Sequence, residues 1–240
     1  MSLKKRTPKK ELLKKGVTVT WGSIRRVLRK DGYSFRRARR VTARPPSAHR
    51  QARAQRVLSG LHQQETAGQC QVLYADESGF CLSPVVPYLW QKKTKKGEKD
   101  QTVRPLAQSH AERINVLGFL TRQNTLYNFC HSGRMTAQFL VDSIDALVPS
   151  LTGPTVLVLD NSTVHRANLV KAKRGEWRRK GLRLLFLPPY CPHLNLIEVL
   201  WRMMKYHWLA PGDYRDFATL CQSVKDILNQ FGTKYRISFA

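Results

Sequence analysis

Two aspartates and a glutamate stand where acidic side chains are hard to accommodate. Asp76 closes the apolar run Gln71-Val-Leu-Tyr-Ala-Asp76, and Asp160 closes Thr155-Val-Leu-Val-Leu-Asp160. Glu198 falls inside Leu194-Asn-Leu-Ile-Glu198-Val-Leu-Trp201, whose apolar spacing predicts an amphipathic helix. In open α/β sheets functional groups gather beyond the carboxyl ends of strands. If the two runs are neighbouring strands, Asp76 and Asp160 face one another across a short gap. Unpaired carboxylates so placed repel, and one is forced to take up a proton. Mg²⁺ removes that penalty, because it prefers hard oxygen ligands and keeps positions open for water and phosphate oxygens. With Glu198 as third acid the set suits two ions roughly 3.5–4 Å apart, one activating the attacking oxygen and one stabilising the leaving oxygen. Each acid also has a plainer role. Asp160 precedes Asn161, Ser162 and Thr163, any of which caps a helix, and Glu198 fits an exposed helix face. Glu77 competes with Asp76 as ligand, although strand alternation points it to the opposite face.

The elements that would carry these acids follow from periodicity and punctuation. Strands are predicted over 71–76, 79–90, 114–121, 125–131, 155–160 and 182–187. Helices are predicted over 136–148, 166–180, 195–209 and 215–231. Strands first, then strands and helices in alternation, give an α/β class with a mixed sheet covered by helices. Ile197, Trp201, Met204 and Trp208 repeat at helical spacing and are assigned to core, and Asn195 is read as the N-cap of the Glu198 helix.

Charge names the partner. The chain carries 42 Lys plus Arg against 16 Asp plus Glu in 240 residues, a net +26. Such a balance points to a polyanion, since neutralising phosphates releases condensed counterions. The excess is uneven, with 19 Lys or Arg in residues 1–56 against only Glu11 and Asp31. Within this basic arm Ser23 is read as an N-cap, Ile24, Val27 and Leu28 as an apolar stripe, and Gly32 as a stop. Arg25, Arg26, Arg29 and Lys30 fill the other face, and Arg36, Arg37, Arg39 and Arg40 follow, a pattern fitting the recognition half of a helix-turn-helix or a solvated basic helix. Pro45-Pro46 marks a boundary, giving three expected regions: a basic arm over 1–46, a connecting helix over 47–69 and a main domain over 70–240. Lys92, Lys93, Lys95 and Lys96 form a loop suited to phosphate contact or to plain solvation. Five cysteines without a CxxC pair favour reduced thiols, and Cys191, His193 and His207 lack a fourth ligand at zinc spacing. No apolar run reaches the roughly 20 residues that span a bilayer, so a cytoplasmic protein is expected.

The motifs also carry a resemblance. Leu157-Val-Leu-Asp160-Asn161-Ser-Thr-Val-His165-Arg166-Ala167 resembles the strand-end motif of DDE transposases of the mariner-like superfamily, in particular its bacterial insertion-sequence branch. Leu187-Pro-Pro-Tyr-Cys-Pro-His-Leu-Asn195-Leu-Ile-Glu198 resembles that family's second signature, with 37 residues between Asp160 and Glu198. Tyr74-Ala-Asp76-Glu77-Ser-Gly-Phe80 resembles the segment bearing the first aspartate. Cys191 and Leu196 replace the usual Ser and Pro of the second signature, neither a position expected to touch metal.

The resemblance implies a ribonuclease-H-like fold preceded by a partial helix-turn-helix. It also implies Asp76, Asp160 and Glu198 as catalytic ligands of two Mg²⁺ ions, with Mn²⁺ able to substitute. Asn161 and His165 are expected to support the ligands from behind, although His165 equally fits a helix cap or core position. The implied reaction is hydrolysis at element ends followed by strand transfer from the freed 3′-hydroxyl, on element and target DNA. A homodimer is expected by analogy, as is a nucleoid-associated bacterial location. The family's first DNA-binding module has no counterpart in this sequence, so a fragment, a decayed copy or one of two reading frames is expected. The rival functions are an inactive DNA-binding remnant and a host nuclease of the ribonuclease-H type.

Overall fold

The computed structural model describes residue 16 and residues 18–32, 47–85 and 112–239. Arg36, Arg37, Arg39, Arg40, Lys92, Lys93, Lys95 and Lys96 lie outside the described residues. The chain divides into two compact units, Met1–Ala43 and Arg44–Ala240.

In the first unit the described element is α1 (Trp21–Lys30). Its N-cap is Thr20, not Ser23: the Thr20 hydroxyl accepts from the Ser23 amide at 3.2 Å. Ser23 therefore sits inside the first turn, where its own hydroxyl meets that of Thr20 at 2.9 Å. Gly32, at φ 78°, takes the left-handed conformation that ends helices, as expected. Ile24 is buried and Arg25, Arg26, Arg29 and Lys30 are exposed, but Val27, expected in the apolar stripe, is 58% exposed. The preceding helix needed for a helix-turn-helix would fall largely on residues outside those described.

The second unit is built on a sheet of five strands among the described residues. They are β1 (Gln71–Phe80), β2 (Ile114–Leu120), β3 (Leu126–His131), β4 (Thr155–Leu159) and β5 (Leu182–Phe186), in spatial order β3-β2-β1-β4-β5. β1, β2 and β3 run as an antiparallel meander, while β1, β4 and β5 are parallel. The mixed sheet is therefore as expected, with one correction. The segments read as strands 71–76 and 79–90 are not two strands among the described residues: β1 continues unbroken to Phe80. The polar stretch Asp76-Glu77-Ser78-Gly79 interrupts the apolar pattern without interrupting the ladder, because β2 still pairs with it, Asp76 opposite Gly118 and Phe80 opposite Ile114.

Alternation along β1 splits the core into two layers. Val72, Tyr74 and Phe80 pack with Val116, Leu120 and Val158 under α2 (Ala48–Thr66), α5 (Ile197–Met203) and α6 (Phe217–Asn229). Leu73 and Ala75 pack on the other face with Leu117, Leu157 and Leu159 under α3 (Ala137–Leu147) and α4 (Asn168–Arg179). The helix expected as a connector, α2, lies against the sheet. Leu58 joins the core, His62 Nε2 meets the Tyr74 hydroxyl at 2.6 Å, and the Val72 amide donates to Glu65 Oε1 at 3.0 Å. The helix expected over 195–209 is subdivided: a 3₁₀ turn at Pro192–Leu194, α5, and a π-helical turn at Met204–Trp208. Ile197, Trp201 and Met204 are buried in the core, as their spacing predicts. No helix among the described residues is long and apolar enough to cross a membrane.

Candidate active site

Register places the first two acids. β1 and β4 are adjacent and parallel, and their paired residues end at Ala75 opposite Leu159. Asp76 and Asp160 are therefore the next residue on each chain, side by side at the carboxyl end of the parallel pair. Asp76 belongs to the layer that α5 covers, and α5 carries Glu198 in its first turn. Two features bring that helix in close. Gly118 lies opposite Asp76 on β2, and a Cβ there would stand 2.9 Å from Ile197 Cδ1 and 3.0 Å from the Trp201 ring. Only glycine lets α5 settle that near the sheet. Asn195, 2% exposed, donates from Nδ2 to the Ala75 carbonyl at 3.0 Å, pinning the start of α5 beside Asp76. Asn195 is thus not the N-cap expected from sequence; the cap position is Leu196, with no side-chain bond.

The three acids line two clefts that share Glu198, Pro192 and Asn195. One, of about 390 Å³, contains Asp160, Asn161, Ser162, Tyr190 and Cys191. The other, of about 760 Å³, contains Asp76, Glu77, Arg202, Lys205 and Tyr206. Burial, reinforced by the charges of Glu198, Glu77 and Asp160, pushes Asp76 up to about 8. Burial also raises Glu198, with Lys205 working against the rise and Asp160 and Glu77 adding to it. Lys205 itself is lowered, mainly by burial and by Arg113, and its ammonium sits 5.2 Å over the Phe80 ring.

Asp160 is held differently. His165, 1% exposed, places Nδ1 2.5 Å from Asp160 Oδ1, and the Ser162 amide donates to the same oxygen at 3.0 Å. On its other side His165 Nε2 faces Glu77 Oε2 at 3.4 Å, an ion pair. Burial pulls the imidazole down, but the Asp160 and Glu77 carboxylates outweigh it and raise His165 to about 10. Burial likewise pushes Asp160 upward, yet the His165 hydrogen bond and charge and the Ser162 contacts leave it lowered. Strand alternation does turn Glu77 away from Asp76, and what it faces there is His165. Buried at 1% exposure, His165 meets Asp160 on one side and Glu77 on the other.

The donor set consists of carboxylate oxygens, the ligand class that hard divalent ions select. Burial first, and the neighbouring carboxylates second, push the Asp76 carboxyl above the usual carboxylate range. Among the described residues no three His, Cys, Asp or Glu side chains close round a single point. The acids thus line a cleft, and enclosing an ion requires them to draw inward. Gly118 and Lys205 have no strong sequence signal; the interior glycine of a strand pattern is the one hint.

The sequence profile of the DDE superfamily endonucleases matches residues 71–221, more than half of the chain and all five strands. The chain belongs to the DDE endonuclease superfamily. Its fold is shared with solved structures of the Mos1 transposase. The paired-end complex with the left transposon end superposes with a TM-score of 0.56 at 14% identity, covering 95% of this chain and 67% of that one. The Mos1 mariner catalytic domain gives 0.51 at 12% identity, over 79% of this chain and 85% of that one. At these identities the likeness establishes a ribonuclease-H-like fold. A protein of Sinorhizobium fredii (strain NBRC 101917 / NGR234), uncharacterized y4pE/y4sA, is 35% identical over 69 residues. That match spans 28% of this chain and 47% of that protein, so the chain spans about half the length of this relative.

Proposed function

We propose that this DDE endonuclease is a DNA transposase that cleaves the ends of an insertion sequence and joins them to target DNA. The observation that carries the reading is the register of β1 and β4. It sets Asp76 and Asp160 side by side one residue past the last pair, and α5 brings Glu198 to both of their clefts. Retention of all three acids, Asp76 and Glu198 raised by burial and Asp160 held low by His165, favours a working site over a decayed copy. Structures of similar fold include Mos1 in paired-end and strand-transfer complexes, one of them with Mn.

Asp76, Asp160 and Glu198 would hold two divalent ions, Mg²⁺ with Mn²⁺ as substitute, which neutralise the charge that develops on phosphorus oxygens and acidify the attacking oxygen. In the cleavage step a water oxygen forms a bond to phosphorus, the P–O3′ bond breaks, and the departing oxygen takes a proton to become a 3′-hydroxyl. In the joining step that hydroxyl attacks a target phosphodiester and displaces the target's own 3′ oxygen, so one phosphodiester replaces another. His165 fixes the Asp160 carboxylate, with Glu77 behind it, and Asn161 stands at the lip of the Asp160 cleft. Lys205 and Arg202 present positive charge to a phosphate entering beside Asp76.

The regional assignment of 1–46 to DNA binding, 47–69 to connection and 70–240 to catalysis belongs to the same proposal. So do the phosphate contacts of Arg25, Arg26, Arg29 and Lys30, exposed on α1, and of the basic residues at 36–40 and 92–96. A homodimer would bring two element ends together. The test is a donor plasmid carrying the element with its own flanks, incubated with protein, Mg²⁺ and a target plasmid. Excised ends with free 3′-hydroxyls and sequenced target junctions are expected. Cleavage confined to RNA–DNA hybrids would instead indicate a host nuclease.

A further inference from the structure

Two non-glycine residues among those described take a positive φ: Asn124 at 66° and Tyr190 at 62°. Asn124 occupies the turn between β2 and β3, and asparagine tolerates that conformation through its short polar side chain. Tyrosine does not, and a bulky residue held there marks strain kept by its surroundings. Those surroundings are anchored on both sides. The Leu187 amide donates to the Leu159 carbonyl at 2.8 Å, Leu187, Cys191 and Leu194 are buried, and prolines stand at 188, 189 and 192. Between these anchors Tyr190 turns outward, 55% exposed, on the wall of the cleft that contains Asp160, Asn161, Ser162 and Glu198. A glycine or asparagine would make the same turn without strain. What tyrosine adds over those residues is an exposed ring, which contributes nothing to the core.

We infer that Tyr190 is the stacking platform for one unpaired nucleobase next to the phosphate attacked at Asp160 and Glu198. The inference rests on the reading of DNA as substrate. Aromatic rings stack on the π-face of any base, and such a platform is sequence-tolerant. Where the strand beside the attacked phosphate departs from the helix, a base released from its partner needs a new surface. A fixed ring at the lip supplies it, and the strained turn holds the ring out without further ordering when DNA arrives.

The test measures binding in EDTA, where no strand is cut. Two duplexes of one sequence are compared, one fully paired and one with two unpaired nucleotides at its end, each carrying 2-aminopurine at the terminal positions. Wild type is expected to prefer the unpaired end by about 5- to 100-fold, the worth of one base–aromatic stack. It should also change the emission of a single 2-aminopurine position. Tyr190→Phe keeps both effects. Tyr190→Ala loses both, and so does Tyr190→Asn, which retains the left-handed turn and thereby separates ring from backbone. Unchanged preference in the Ala and Asn variants, or no preference in wild type, overturns the inference. Because no cleavage is read, absence of nicking by wild type with the preference intact would sink the transposase reading and leave the subsite standing. Nicking with no preference would do the reverse.

Discussion

Replacing Asp76 with asparagine should stabilise the metal-free protein while removing its chemistry. In the folded chain Asp76 is held at about 8, against 3.8 for the free side chain, by burial and by the charges of Glu198, Glu77 and Asp160. An acid with a raised folded value binds a proton in the native state that the unfolded chain has already released. Its contribution is therefore fully present below pH 4 and is lost as pH climbs towards 8. Each pH unit in that window is worth about 1.4 kcal/mol. The penalty thus approaches, as an upper bound, roughly 5 kcal/mol at pH 8. Asp76→Asn keeps the shape of the neutral acid and never ionises. Its advantage over wild type should be small at pH 4 and grow to several kcal/mol at pH 8, on the order of 10 °C in Tm for a chain of this size. Urea or thermal unfolding of both proteins in EDTA across pH 4–9 reads this directly. The comparison cancels His165, whose raised value makes its own contribution fade as pH rises from about 6.5 to about 10 in both proteins. Mn²⁺ should close the gap by stabilising wild type alone, by about 2.7 kcal/mol at a hundred times its Kd. A gap that stays flat with pH would refute the reasoning.

His165→Asn should weaken Mn²⁺ binding by about 10- to 100-fold, the usual cost of removing a group that orients a ligand; calorimetric titration checks it, with DNA binding unchanged as control. Glu77→Gln should do the same to a lesser degree, because it acts through His165. Gly118→Val should force α5 away from the sheet, costing about 1–3 kcal/mol in urea unfolding and abolishing cleavage by moving Glu198 from Asp76. Tyr190→Asn should raise Tm by about 2–4 °C, since relief of the left-handed turn is worth about 1 kcal/mol, even though the unpaired-base preference is lost.

The acids were legible because each breaks a strong pattern. An aspartate after four or five apolar residues marks a strand end, and the strand pairing then aligned the two without help from side chains. The split of 71–90 into two strands failed for the same reason. Only Glu77 and Ser78 fall between the two predicted strands, whereas they belong to the part of β1 that is held by β2 alone. Asn195 was misassigned because a local cap and a distant backbone tether use the same amide, and sequence spacing cannot separate them. Thr20 and Ser23 compete as caps within one turn, and the hydroxyl that finds the third amide wins. Glu77 could be excluded as a partner of Asp76 by alternation, but its meeting with His165 depends on how the segment between β4 and α4 folds back. Lys205 projects into the carboxylate cleft from a π-helical turn that periodicity at 3.6 does not describe.

Nicking of a supercoiled plasmid that carries the element's flanking DNA tests the central claim most directly, with Mg²⁺, Mn²⁺ or EDTA and with wild type beside Asp160→Asn. The account predicts nicking by wild type in either metal, none in EDTA, and none by the variant, which still binds the DNA. Nicking that persists in Asp160→Asn, or that survives EDTA, would contradict it.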